Sequence, residues 1–179
     1  MTYPGGNVKD LERLIRDIPD FPKPGIIFKD ITPLLKDPGG FRATIENLEA
    51  EAKKIRPDAI LGIESRGFVF GGALAMRLGC GFIPARKPGK LPYQTDRESY
   101  SLEYGTNSLE IHKDAVGPGQ RILIVDDLLA TGGTAAACAR LVARQKGIVA
   151  GFLFVIELGF LDGRKQLGDI PTFSLIRYS

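Results

Sequence analysis

The chain has 179 residues, a net charge of +3, 44% hydrophobic and 25% charged residues, which fits one ordinary domain able to bury roughly 70% of its unfolded surface. No apolar run approaches the roughly 18 residues of a membrane span, and the N-terminal MTYPGGNVKDLERL lacks the apolar stretch of a signal peptide, so a cytoplasmic protein without a membrane partner is expected. The small charge excess excludes the basic stripe of a nucleic-acid binder, and Cys80 and Cys138, with no CxxC or histidine company, read as buried free thiols rather than metal ligands.

Residues 21–33, FPKPGIIFKDITP, hold too many prolines for a central strand or a helix and read as an ordered, irregular segment. Phe41, Ile45, Leu48, Ala52 and Ile55 then recur at helical spacing. Residues 59–63 are a short apolar run, the pattern of a strand buried on both faces; a helical pattern over 68–78 and a second such strand over 81–85 follow. The stretch 86–113 breaks this rhythm. Polar, alternating segments at 101–104 and 108–112 flank Gly105 and predict a hairpin standing away from the sheet, long enough to be a lid. A third buried strand, 121–125, leads into an alanine-rich helix over 134–145, a long apolar strand over 148–158 and an edge strand over 172–178. Alternating strands and helices make the class α/β, with a central parallel sheet flanked by helices. Without repeats or linkers, residues 1–179 form a single domain.

The chemistry concentrates at ILIVDDLLATGGT, residues 122–134. A buried strand ends at two carboxylates, a short loop holds Thr131 and two glycines, and a helix begins at the second glycine. Glycines let successive backbone N–H groups face one point, Thr131 and Thr134 add hydroxyls, and the positive end of the helix lies beneath, which makes an anion cradle. Neither GxxxxGK[ST] nor GxGxxG occurs, so the common nucleoside-triphosphate and dinucleotide loops are disfavoured. Asp126 and Asp127, adjacent on a strand, point apart and are better placed to grip two neighbouring hydroxyls than to chelate one ion. Phosphate plus vicinal hydroxyls describes a ribose phosphate.

This segment resembles the phosphoribosyl-diphosphate (PRPP) loop of the type I phosphoribosyltransferases. Three further blocks, IPDFPKPGIIFKDITPLL, GIESRGFVFG and RKPGKLP followed by SYSLEYGTNSLEIHKDA, resemble the adenine-specific branch, and the likeness runs from about residue 18 to 178. It implies the fold of that family, with a small N-terminal hood over about 1–35 and a flexible catalytic hairpin over about 86–113. It implies transfer of the phosphoribosyl group from PRPP to adenine, giving AMP and diphosphate, with Mg2+ held mainly by PRPP and no direct protein ligand, in a homodimer. By the same resemblance, Asp126 and Asp127 hold ribose hydroxyls, and Ala130, Thr131, Gly132, Gly133 and Thr134 cradle the 5′-phosphate. Arg66 serves catalysis in a diphosphate loop whose Glu64–Ser65 peptide is cis, and Arg86, Lys87 and Lys90 add positive charge for the departing diphosphate. Glu103 is the acid/base near the purine, with Tyr104 beside it in the PRPP site. Ile27, Phe28 and Lys29 meet adenine, Lys29 standing where many relatives carry Arg. The only histidine, His112, is read as a polar strand position without a catalytic role. Two alternatives remain open: an enzyme acting on hypoxanthine, guanine or xanthine, and a PRPP-sensing regulator that has lost catalysis.

Overall fold

The computed structural model describes residues 8–101 and 106–179, and the chain divides into two compact units, Met1–Asn47 and Leu48–Ser179. The first unit thus reaches beyond the hood boundary of about 35. It holds α1 (Val8–Glu12), the antiparallel pair β1 (Arg16–Pro19) and β2 (Ile27–Asp30), α2 (Thr32–Lys36) and the start of α3 (Pro38–Ile55). The segment expected to be irregular therefore contains β2 and leads into α2. Its prolines stay clear of the strand: Pro22 and Pro24 lie in the connection between β1 and β2, and Pro33 lies in the first turn of α2. Between the strands, Gly25 takes φ +85 and donates its N–H to Asp20 Oδ1 at 2.7 Å, a turn that suits glycine. Helix α3 begins three residues before the apolar periodicity does, because Asp37 Oδ1 accepts the Gly40 N–H at 2.6 Å and Pro38 opens the helix.

The second unit is built on a five-stranded sheet in the order β4-β3-β7-β8-β9, all neighbours parallel. Its strands are β3 (Ala59–Ile63), β4 (Gly81–Ala85), β7 (Arg121–Leu129), β8 (Ile148–Leu158) and β9 (Thr172–Tyr178), with α4 (Gly67–Leu78) between β3 and β4 and α5 (Gly133–Arg144) between β7 and β8. All of β3 and most of β7 and β8 are buried, as their continuous apolar runs require. One boundary differs from expectation. β7 does not stop at Val125 but runs on to Leu129, pairing Asp126 with Phe154 and Leu129 with Glu157, so the two carboxylates belong to the sheet itself.

The hairpin is β5 (Thr95–Ser101) and β6 (Thr106–His112), a sheet of its own, but it does not stand away from the rest. Leu109 and Ile111 are buried in the core, and Arg86 and Glu110 exchange backbone hydrogen bonds. Glu98 takes Arg140 Nε at 2.7 Å and also pairs with Arg144, while Gln145 Nε2 donates to Asp96 Oδ2 and to the His112 carbonyl, both at 2.8 Å. Alternation marks the hairpin in sequence; its attachment to α5 depends on contacts from about 40 residues away in the chain, which no local pattern reveals.

Candidate active site

Chain direction reverses across the sheet between β3 and β7: β3 leads through α4 to β4 on one side, and β7 leads through α5 to β8 on the other. The crevice outside the carboxyl ends of such strands is where open α/β sheets bind ligands. Two recesses that share Arg66, Asp126, Asp127 and Thr134 occupy it. One, of about 160 Å³, is lined by Arg66, Asp126, Asp127, Ala130, Gly132 and Thr134 among others. The second, of about 350 Å³, is lined by Glu64, Ser65, Arg66, Lys87, Tyr100, Asp126, Asp127 and Thr134.

Gly67, the first residue of α4, brings that helix against the end of β7. A Cβ there would sit 2.7 Å from the Val125 carbonyl oxygen and 2.9 Å from Asp126 Oδ1. The preceding loop is Glu64–Arg66, and its Glu64–Ser65 peptide is cis. From it Arg66 Nε reaches to 2.6 Å from Asp127 Oδ2. That oxygen is nevertheless the one buried side-chain atom among the described residues with no aligned hydrogen bond, a strong acceptor held in the groove. Asp126 and Asp127 line both recesses, and the Asp127 N–H donates to Asp126 Oδ1 at 2.9 Å. Burial pushes the Asp126 carboxyl well above the usual carboxylate range, and the Asp127 charge pushes the same way.

Beyond Leu129 the chain makes the cradle. Gly132 caps α5 in the left-handed conformation, φ 86, and no side chain caps the helix, so the N–H groups of its first turn are left for an anion. Thr131 and Thr134 both border the groove.

The cations expected around a diphosphate divide. Lys87 lines the groove beside Arg66. Arg86 is committed to protein: its Nε donates to Glu64 Oε2 at 3.2 Å and its Nη1 to the Lys90 carbonyl at 3.0 Å. Glu64 Oε2 also accepts the Lys87 N–H at 2.9 Å. Burial works against the ionised Glu64, yet these donors hold its carboxyl below the usual range. Arg86 therefore ties the loop after β4 to the loop after β3. Lys90 is exposed and does not line either recess. Glu103 and Tyr104 lie outside the described residues. Tyr100, which borders the second recess, was not singled out from sequence; its place in the alternating hairpin carries no signal of its own.

In the first unit, Ile27, Phe28 and Lys29 follow one another on β2. Lys29 Nζ is held by Asp17 Oδ1 at 2.6 Å, and Phe28 packs edge-on against Phe21, ring centroids 5.2 Å apart. β2 pairs with β1 in a sheet of two strands. His112 Nε2 accepts the Tyr93 N–H at 3.4 Å, a local structural contact. Cys138 is buried and Cys80 partly so, both free, and burial pushes both thiols up.

Residues 34–166 match the phosphoribosyl transferase domain family. The adenine phosphoribosyltransferase of Solibacter usitatus is 60% identical over 169 residues, 94% of this chain and 98% of the relative. That of Nostoc punctiforme is 58% identical over 171 residues, 94% and 99%. The crystal structure of adenine phosphoribosyltransferase from Thermoanaerobacter pseudethanolicus superposes with a TM-score of 0.94 at 56% identity, covering 96% of this chain and 100% of that one. The Saccharomyces cerevisiae enzyme, complexed with a dideoxy-imino-altritol bisphosphate and adenine, superposes at 0.88 with 42% identity, covering 94% and 97%.

Proposed function

We infer the division of labour in this site from one premise: the chain belongs to the adenine phosphoribosyltransferases, and it transfers the 5-phosphoribosyl group of PRPP to adenine, giving AMP and diphosphate in purine salvage. The observation that carries the residue roles is the pair of recesses that share the acceptors Asp126 and Asp127, one lined also by the uncapped start of α5 and the other by Lys87, with Arg66 bordering both. That is the charge order of PRPP itself: a phosphate, two hydroxyls and a diphosphate.

In this reading the first-turn N–H groups of α5 and the hydroxyls of Thr131 and Thr134 hold the 5′-phosphate. Asp126 and Asp127 accept from the ribose hydroxyls, supplying the Asp127 oxygen with the aligned donor it lacks. As the bond from C1′ to the diphosphate oxygen breaks and the bond from C1′ to N9 of adenine forms, Arg66 and Lys87 neutralise charge gathering on the leaving group. Glu103, which follows β5 in the chain, takes the proton from the imidazole side of the base, and the hairpin excludes water from the reacting sugar. Two carboxylates, one of them paired with Arg66, offer too few oxygens to cage a magnesium ion. A magnesium ion, if bound, would therefore be carried by PRPP rather than by these side chains, and would supply positive charge toward the leaving group. The backbone of β2 at Ile27, Phe28 and Lys29 reads adenine with one N–H and one C=O; a 6-oxopurine presents the reversed pair and leaves both opposed, a mismatch worth about four orders of magnitude. The protein works as a cytoplasmic homodimer, which sedimentation at assay concentration and fractionation of the source cells test.

Incubation with PRPP, Mg2+ and each purine in turn tests the whole reading. Adenine alone is turned over rapidly. Hypoxanthine turnover equal to adenine turnover overturns the specificity, and no nucleotide from any base returns the chain to the PRPP-sensing regulators.

A further inference from the structure

The phosphate cradle has a back wall that no local motif announces. After β8 the chain makes two 3-10 turns, Gly159–Leu161 and Gly163–Gln166. At Gly163 it meets the cradle backbone to backbone. A Cβ built on Gly163 falls far inside contact distance of the Ala130 carbonyl oxygen and 3.1 Å from the Gly132 nitrogen, and one built on Gly132 falls far inside contact distance of the Gly163 carbonyl oxygen. The fit is reciprocal, and both partners are main chain, which cannot swing aside as a side chain can.

What holds Gly163 there is its neighbour. Arg164 Nε lies 2.9 Å from both oxygens of Glu157, its Nη2 donates to Glu157 Oε2 at 2.7 Å, and its Nη1 donates to the Thr172 carbonyl at 2.7 Å. Glu157 is buried near the end of β8 and pairs in register with Leu129, the residue before the cradle. The Arg164 hydrogen bonds hold the Glu157 carboxyl below its usual range despite its burial. A planar, bidentate pair of this kind fixes direction as well as distance.

We propose that Glu157, Arg164 and Gly163 are positioning residues for 5′-phosphate recognition: the Glu157–Arg164 pair presses Gly163 against Ala130 and Gly132 and so sets the width of the cradle. The proposal rests on the cradle being the 5′-phosphate site. None of the three touches substrate; they act through the placement of the loop.

Steady-state kinetics of Gly163→Ala, Arg164→Ala and Arg164→Lys, each with a thermal denaturation curve, test it. Gly163→Ala forces the cradle apart, so KM for PRPP rises by about 100-fold with KM for adenine little changed. Arg164→Ala raises KM for PRPP in the same direction, and Arg164→Lys, which keeps the charge but loses the fork, recovers part of it. Exposed Lys165 serves as the control, and Lys165→Ala keeps wild-type kinetics. Gly163→Ala with an unchanged KM for PRPP overturns the proposal, as does an equal rise in both KM values. Thr134→Val separates this from failure of the cradle itself. If Thr134→Val raises KM for PRPP and Gly163→Ala does not, the back wall alone is refuted; if neither does, the phosphate site lies elsewhere.

Discussion

Gly67 gives the sharpest prediction outside the back wall, because the same helix carries its own control. In Gly67→Ala the new methyl lands 2.7 Å from the Val125 oxygen, 2.9 Å from Asp126 Oδ1 and 3.1 Å from Asp126 Cα, where ordinary contact begins at 3.4 Å. The end of β7 must then retreat by about half an ångström, since main-chain atoms cannot rotate away. Overpacking costs about 1–3 kcal/mol, while alanine recovers roughly 0.5–1 kcal/mol of backbone entropy. The expected net loss of about 1 kcal/mol lowers Tm by about 2–4 °C in a chain of this size. The kinetic loss is larger. If a misplacement of 1 Å costs about 100-fold, half of it costs about 10-fold in kcat/KM. Gly72, also in α4, has nothing within 4 Å of its notional Cβ, so Gly72→Ala raises stability by roughly 0.5–1 kcal/mol and leaves kinetics alone. Thermal melts and initial-rate assays on both variants decide the matter. A Gly67→Ala enzyme with wild-type kcat/KM, or the same loss in Gly72→Ala, refutes the claim that α4 sets the position of Asp126.

Four other outcomes follow from the groove and the hairpin. Asp127→Ala abolishes most turnover at saturating substrate, and Glu103→Ala lowers kcat more than it weakens PRPP binding; wild-type rates remove the residue concerned from the mechanism. Burial raises the Asp126 carboxyl above its ordinary value of 3.8, so its protonated form favours the folded state: the stability this contributes is full below that value and is lost as pH rises through the raised one. Asp126→Asn cannot titrate, and its melting temperature is therefore less pH-dependent over that window than the wild type's; parallel curves contradict the assignment. Glu98 is shifted the other way, first by its hydrogen bond from Arg140, so the stability it contributes is present above 4.5 and lost as pH falls. Glu98→Gln should cost about 1 kcal/mol at neutral pH and narrow the gap to wild type in acid, as urea titrations at two pH values would reveal.

Where the sequence carries a long one-sided signal, the structure follows it closely. The apolar runs of β3 and β8 mark their own bounds, since a strand buried on both faces leaves no polar residue to blur its ends. The turn at Gly132 and the helix start at Gly133 are legible for a similar reason, because only glycine accepts φ 86 at no cost. β1 is invisible: four residues, mostly exposed, with no alternation. The extension of β7 is hidden by its own chemistry, since Asp126 and Asp127 read as the end of a strand when they are part of one. Arg86, Lys87 and Lys90 are equivalent cations in sequence; Glu64, more than 20 residues earlier, is what commits Arg86 to the protein. Glu157, Gly163 and Arg164 form no motif at all, and their relation to Ala130 and Gly132 exists only once β8 lies beside β7.

The pairing of β3 with β7 also has a kinetic meaning. Ala59 lies opposite Ile122, so the chain must close a loop of more than 60 residues before Arg66 can face Asp127, whereas β7, β8 and β9 come together from the last third of the chain. Distant parallel pairings form slowly, so the ribose-phosphate groove is absent from any species in which the two halves of the sheet are separate. A ligand that bridges Arg66 and Asp127 binds only the completed sheet and stabilises it by mass action.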